Sequence, residues 1–512
     1  MLAKINSSAI LGINAYIIDV EVDISFGLPA FNIVGLPETS VKESKERVKT
    51  AVKNSGYSFP PDRVTINLAP ADIKKEGTGL DLPMAMGILA ASEVVSKKTL
   101  EKYIVTGELS LDGRVKPVKG ILSIAMAARE NQYKGVIIPF DNRLEGSMVD
   151  GIDIISVKHL SEVVEFFSGM KDIKPEDNQY LTECMKHENS NNIDFSDVQG
   201  QHNAKRALEI AAAGGHNILM TGPPGSGKSM LAKRLVTILP SLTFEEALET
   251  TQIYSIAGII DNIKPIVTQR PFRSPHHTIS DAGLAGGGVR PEPGEASLAH
   301  NGVLFLDELP EFKKNVLNVL RQPLENGFVS IARAAWRTTF PSKFMFVAAM
   351  NPCPCGYCTD PNGKCTCTQA QIQRYQSKIS GPLLDRIDIH IEVPPVPYKD
   401  LAGQSEPSES SVHIKNRVEA ARKIQRDRLI KENLFCNATM DSKQIKKHCI
   451  LNSESEALLK RAVESFGLSA RSYARIKKLS RTIADLDNSD TIQVSHIAEA
   501  IQYKSFSNNN GL

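Results

Sequence analysis

Residues 216–231 read HNILMTGPPGSGKSML, and the rest of the chain is interpreted from them. Residues 217–221 have the length and apolarity of a buried strand. The eight residues that follow fit G-x-x-x-x-G-K-[ST] at every fixed position. Gly222, Gly225 and Gly227 let the backbone curl so that several N–H groups face one phosphate, with Pro223, Pro224 and Ser226 completing the loop. The helix expected over 230–239, opening at Met230, adds its free N–H groups and the positive end of its dipole. Lys228 is placed to reach the β- and γ-phosphates, and the Ser229 hydroxyl to ligate Mg²⁺. A Gly-rich turn between strand and helix is the alternative; strand, complete motif and helix together favour a nucleoside triphosphate site.

Composition sets the frame around this loop. A chain of 512 residues has room for about three domains with their own cores. Its 41% hydrophobic and 23% charged residues are those of a soluble globular protein, and a net charge of +2 names no partner. Locally, residues 412–481 hold 17 Lys and Arg against 7 Asp and Glu, a surplus to be accounted for. No apolar run reaches membrane-span length, and the N-terminus lacks a secretory pattern. Five of the eight cysteines fall between 353 and 367, which points to a local site in a reducing compartment rather than a disulfide framework. The expected location is cytoplasmic.

Residues 1–167 alternate apolar strands (15–24, 30–35, 64–68) with helices (40–54, 82–92, 121–130), around a hairpin-like turn at Asp112-Gly113. This order, with GELSLDGRVKPVKG at 107–120, resembles the proteolytic domain of the Lon family. That family cleaves peptides with a Ser–Lys dyad. In this chain Gly79 stands at the serine position and Ile124 at the lysine position, so the expectation is a Lon-protease-like α+β domain without its dyad. Residues 168–193 are polar and weakly patterned, as a linker is.

Downstream, Gly302-Val-Leu-Phe-Leu-Asp-Glu308 is a strand ending in two acids. Asp307 suits Mg²⁺, and Glu308 suits polarisation of an attacking water. A second apolar strand ends at Asn351, whose amide can orient that water or touch the γ-phosphate. Strands with such termini, separated by helices, make a parallel α/β sheet with its ligand crevice at the strand C-ends. With Leu383-Leu-Asp-Arg386, these motifs resemble AAA+ ATPases of the magnesium-chelatase-like branch. Arg273-Ser-Pro-His-His277, Asn351-Pro-Cys-Pro-Cys-Gly356 and Ser380-Gly-Pro-Leu-Leu-Asp-Arg-Ile-Asp388 narrow the resemblance to the ComM/YifB family, over essentially the whole chain.

The resemblance implies an ATPase using ATP and Mg²⁺, assembled as a ring, usually a homo-hexamer, with sites between neighbours. It makes Arg386 an arginine finger, against the alternative of a salt bridge to Asp385 or Asp388 within the chain. Arg471 matches sensor 2 of the lid, with Arg475 one turn on as its competitor. It further implies a motor on single-stranded or branched DNA, in branch migration during recombination or transformation. A chelatase-like or chaperone-like action on a protein partner is the other reading, and a protease motor a third, weakened by Gly79 and Ile124.

The interval between Lys228 and Asp307 is long, and its Gly- and Pro-rich middle, 282–294, suggests an irregular insert. His276 and His277, as neighbours on an extended chain, are expected to point apart. Residues 327–343, GFVSIARAAWRTTFPSK, read as a hairpin whose Arg333, Arg337 and Lys343 flank the chain's one tryptophan. That mix suits phosphates and bases, or else an ordinary packed hairpin. Cys353, Cys355, Cys365 and Cys367 form two C-x-C pairs that suit a structural Zn²⁺. Cys358 is a fifth candidate, so which four bind is open, and a disulfide or bare thiols remain alternatives. Residues 396–411 read as a second linker. Five helical patterns from 412 onward make an all-α lid on a 194–395 ATPase core.

Overall fold

The computed structural model describes the chain except residues 72–74, 76, 179–192, 262–263, 289–290, 334–335, 360–364, 397–407, 433 and 510–512. Most of both expected linkers therefore lies outside the described residues. Among the described residues no helix is long and apolar enough to cross a membrane. The chain forms two compact units. Met1–Glu188, Phe244–Thr268 and Ala332–Thr339 make the first; Asn189–Thr243, Gln269–Ile331 and Phe340–Leu512 make the second.

A seven-stranded mixed sheet organises the first unit. Its order is Ala30–Val34, Arg63–Ala69, Asn14–Ser25, Leu2–Leu11, Tyr103–Val105, Gly135–Pro139, Asp153–Val157. Alternation drives the pairing: Val64, Ile66 and Leu68 turn inward while their neighbours face out. Helix Thr39–Asn54 buries Val41, Val48 and Val52 on one stripe, whereas Asp81–Ala91 is buried all round and so shows no stripe in sequence. At the position of the Lon nucleophile, Gly79 carries no hydroxyl and its carbonyl accepts from Thr106 Oγ1 at 3.2 Å. Ile124 is buried in helix Ile121–Glu130.

Helix Phe244–Ala257 belongs to this first unit, although the sequence places it inside the 194–395 ATPase core. Gln252 Nε2 donates to Ile13 O (2.9 Å) and to Ser123 Oγ (3.0 Å), and Ser123 Oγ itself donates to Ile13 O. Ser123 is thus spent on holding this helix. The groups that hold this helix lie more than a hundred residues away in the chain, so nothing local in the sequence marks its place.

The second unit is built on a five-stranded sheet, all parallel, in the order Phe272–Arg273, Val303–Leu306, Met345–Met350, Ile218–Thr221, Ile389–Glu392. Both faces are covered, so its strands read as continuous apolar runs. Ile218, Met220, Val303 and Phe305 face one core with Leu231, Leu235 and the lid; Leu219, Leu304, Leu306 and Phe346 face another with Leu317, Leu320 and Leu383.

The lid comprises Ser411–Leu429, Ser442–His448, Ser453–Phe466, Ala470–Leu486 and Val494–Asn509. Much of its basic surplus is used internally. Asp485, fully buried, accepts from Arg428 (2.6 and 2.8 Å), Arg481 (3.0 Å) and Asn437 (2.8 Å). Arg422 donates to Ala212 O, and Arg417 pairs with Glu209 at 2.6 Å. Removing one member of a buried charge cluster strands the others. Asp485→Ala is expected to cost about 3–5 kcal/mol, seen in calorimetry as a lowered transition for the lid-bearing unit; an unchanged transition would contradict the arrangement.

Candidate functional site

Residues His216 and Asn217 lock the start of the phosphate-loop strand. His216 Nδ1 lies 3.2 Å from Asp388 Oδ2 and Nε2 lies 2.8 Å from Thr482 Oγ1. Asn217 Nδ2 donates to Arg386 O (2.9 Å), while its Oδ1 accepts from Phe346 N (2.8 Å). One side chain therefore ties the phosphate-loop strand, the strand leading to Asn351 and the Arg386 turn. The sequence reading missed this role, because a lone Asn ahead of a strand carries no spacing signal.

The strand ends at Thr221 and the chain enters the loop, where Gly225 (φ +78°) and Gly227 (φ +92°) take left-handed backbone that other residues adopt poorly. Gly227 caps helix Lys228–Ile238, whose first-turn N–H groups have no partner within the helix. Pro223 and Ser226 are buried, Pro224 and Gly225 exposed, and Met230 is exposed on the helix. Gly222 N donates to Met350 O at 3.2 Å, fastening the loop to the neighbouring strand.

Four groups predicted from sequence converge here. Lys228 Nζ donates to Gly222 O (2.7 Å), Pro223 O (2.8 Å), Ser226 Oγ (3.4 Å) and Asn351 Oδ1 (3.3 Å). Burial pushes this ammonium below its usual pKa, and the Asp307 carboxylate pulls it back up. Ser229 Oγ donates to Asp307 Oδ2 at 2.5 Å, so two oxygens of the kind Mg²⁺ prefers are already side by side. Next to Asp307, Glu308 sits in left-handed backbone (φ +51°), its side chain 57% exposed. A donor loop, a buried ammonium and an oxygen pair fit a magnesium-bound triphosphate.

Two findings differ from expectation. His276 and His277 do not point apart. The strand ends at Arg273, and beyond it the rings lie side by side with centroids 4.0 Å apart, tilted by 35°. His277 Nδ1 lies 3.6 Å from Glu308 Oε2 and its ring meets Phe312 edge-on. Arg386 pairs with neither Asp385 nor Asp388 but with Glu325, sixty-one residues earlier in the same unit.

Asp388 pairs instead with Arg475 at 3.1 Å. Burial would raise the Asp388 pKa, but the His216 hydrogen bond and the Arg475 charge outweigh it and hold the carboxyl well below the usual range. Arg475 and Lys504 both donate to Ile387 O, at 3.4 and 3.2 Å. Burial, then the Arg475 charge, push Lys504 down to about 8. Arg471 is 64% exposed and only grazes Asp385 at 3.9 Å.

Sequence comparison agrees with this geometry. Residues 194–401 match the family described as magnesium chelatase, subunit ChlI; residues 20–142 match subunit ChlI of Mg-chelatase; residues 408–504 match its C-terminal part. The uncharacterized protein YifB of Escherichia coli K12 is 44% identical over 504 residues, covering 98% of this chain and 97% of that protein. Competence protein ComM of Haemophilus influenzae is 43% identical over 503 residues, with the same coverage. The chain belongs to the ComM/YifB family of magnesium-chelatase-like AAA+ proteins. The AAA+ character of the ComM/YifB family brings ATPase chemistry with ATP and Mg²⁺. In the N-terminal region the chain is similar to Lon protease 2 of Bacillus subtilis, 30% identical over 180 residues, 31% of this chain and 32% of that protein.

The two candidate sensor arginines should separate by experiment. Arg475→Ala leaves Asp388 with His216 but without its guanidinium, and is expected to cost about 3–5 kcal/mol of stability. Arg471→Ala, an exposed change, should shift stability by no more than about 0.5 kcal/mol while slowing ATP turnover. Calorimetry with phosphate release checks both; equal losses of stability would contradict the assignment.

Proposed function

We propose that this protein is an ATP-hydrolysing ring motor, a homo-hexamer that moves single-stranded or branched DNA by branch migration in the cytoplasm. The observation that carries the motor reading is the convergence of Lys228, Ser229, Asp307 and Asn351 at adjacent ends of a parallel sheet. Ser229 and Asp307 would hold Mg²⁺, which would offset negative charge on the triphosphate. Lys228 leaves its carbonyl partners for phosphate oxygens, and Asn351 follows the exchange because it shares the ammonium. Glu308 draws a proton from the attacking water, with His277 alongside to set its orientation.

Arg386 supplies the finger to the neighbouring protomer's site by exchanging Glu325 for the γ-phosphate, and Arg471 reads the bound state from the lid. The exchange replaces one anionic partner of the guanidinium by another, so it leaves no buried charge unpaired. The Lon-like unit, with Gly79 and Ile124 where a dyad would stand, serves as a scaffold rather than a protease.

Support for DNA comes from the hairpin formed by Phe328–Arg333 and Trp336–Pro341. Arg337 and Lys343 are exposed; the side chain of Arg333 lies outside the described residues. Thr338 is buried, and a Cβ on Gly12 would collide with its hydroxyl, so the hairpin is anchored at Thr338 while Arg337 beside it stays exposed. The lid's arginines are largely occupied, which leaves the hairpin as the better phosphate-binding surface. A relative named as a competence protein agrees with DNA as substrate. The family's magnesium chelatase matches favour, as a second reading, remodelling of a protein partner.

Forked or four-way DNA should raise the ATPase rate severalfold, and the Arg337→Ala/Lys343→Ala variant should lose about 2 from the slope of log affinity against log salt. No stimulation by any DNA, with stimulation by a protein alone, would favour remodelling.

A further inference from the structure

The chain leaves Asn351 through Pro352-Cys353-Pro354-Cys355-Gly356, and Cys365-Thr366-Cys367 leads into the helix Gln369–Gln376. The four thiols of the two C-x-C pairs meet: all four sulfurs lie within 4.8 Å of one another, and Cys358 falls outside the set. Cys353 to Cys355 is 3.3 Å, Cys355 to Cys365 3.6 Å and Cys353 to Cys365 3.9 Å. A disulfide would hold two of them at about 2.05 Å; these cysteines are free. Tetrahedral zinc with Zn–S of about 2.3 Å sets sulfurs about 3.8 Å apart, and the observed spacings bracket that edge. Four unbonded thiols packed this closely, one of them fully buried, have little reason to converge without a cation between them.

The cluster is also wired to the phosphate loop. Gly356 N donates to Cys353 O (3.0 Å), closing a tight turn in which Gly356 takes left-handed backbone (φ +87°). The turn rests on the phosphate loop so closely that a Cβ on Gly356 would sit 2.5 Å from Pro224 Cδ. On the other side, Gln376 Nε2 donates to Pro352 O at 3.3 Å, linking the turn to the helix that precedes Arg386. Asn351, at the root of the turn, shares the Lys228 ammonium.

The geometry points to a zinc site made by Cys353, Cys355, Cys365 and Cys367 that braces the phosphate loop, so that metal occupancy sets nucleotide affinity. Four thiolates close the coordination shell, so the metal is structural and binds no substrate. Each thiol that ligates gives up its proton to solvent, and no electron changes hands. The site holds the Asn351–Gly356 turn against Pro224. Without metal the turn loses a cross-link to the Cys365–Cys367 segment, and the loop must be ordered by the nucleotide itself, at the expense of affinity.

Elemental analysis of the full-length protein, purified without chelators, decides the first half. It should find about one zinc per chain, retained in Cys358→Ser and lost in Cys355→Ser/Cys365→Ser. Absence of zinc, or its loss from Cys358→Ser, overturns the site. For the coupling, a fluorescent ATP analogue is titrated into wild-type protein before and after a zinc-selective chelator, and again after zinc is restored. Affinity should fall about tenfold and recover. Zinc present but affinity unchanged on its removal overturns the bracing role. Because the wild-type chain is used, a cysteine variant that fails to fold does not affect this outcome. Failure of the untreated protein to bind the analogue would contradict the ATP reading instead, while the zinc content still decides the metal site.

Discussion

A single buried ammonium sets the terms for the second unit. Lys228 is 8% exposed and held by two loop carbonyls and the Asn351 amide oxygen. A positive charge withdrawn from water needs compensation, and carbonyl dipoles compensate it only in part. Its pKa is lowered for that reason. A triphosphate supplies the full countercharge, so the resting arrangement already favours the ligand. The parallel sheet matters because it brings the loop, the Asp307 strand and the Asn351 strand to one edge, with Ser229 and Asp307 in contact before any metal arrives.

The lid is attached to that edge by charge as much as by apolar packing. Asp388 joins His216 of the phosphate-loop strand to Arg475 of the lid, and Ile387 O takes donors from Arg475 and Lys504. Arg386 sits between these residues and the Asn217 amide. A change in lid position is therefore felt directly by the turn that carries Arg386. In the proposed ring, this would be the physical route by which bound nucleotide alters what Arg386 meets.

Much of this was legible in sequence, and the reasons differ by element. The phosphate loop is fixed by residue type at each position, since backbone N–H groups, an ammonium and a hydroxyl are needed at set spacings. The strands ending at Leu306 and Met350 were visible as apolar runs because both sheet faces are covered. The lid is helical from Ser411 onward, as the sequence patterns suggest, because exposed helices keep their stripe and their caps, such as Asn452 and Ser469. What stayed hidden depends on distant partners. Nothing near Phe244 says that its helix packs on Ser123 and Ile13; nothing near Arg386 names Glu325; nothing in two adjacent histidines says that the strand stops at Arg273. Within the tail's basic surplus, no local pattern says that Arg417, Arg428 and Arg475 pair with Glu209, Asp485 and Asp388.

In the proposed division of labour at one site, Lys228 binds the nucleotide and Glu308 drives its hydrolysis. The most direct measurement compares ATP-analogue binding and phosphate release for Lys228→Ala, Glu308→Gln and wild type. Binding lost in the first, and binding kept with turnover down at least about a hundredfold in the second, is the predicted result. Glu308→Gln hydrolysing ATP at the wild-type rate would contradict it.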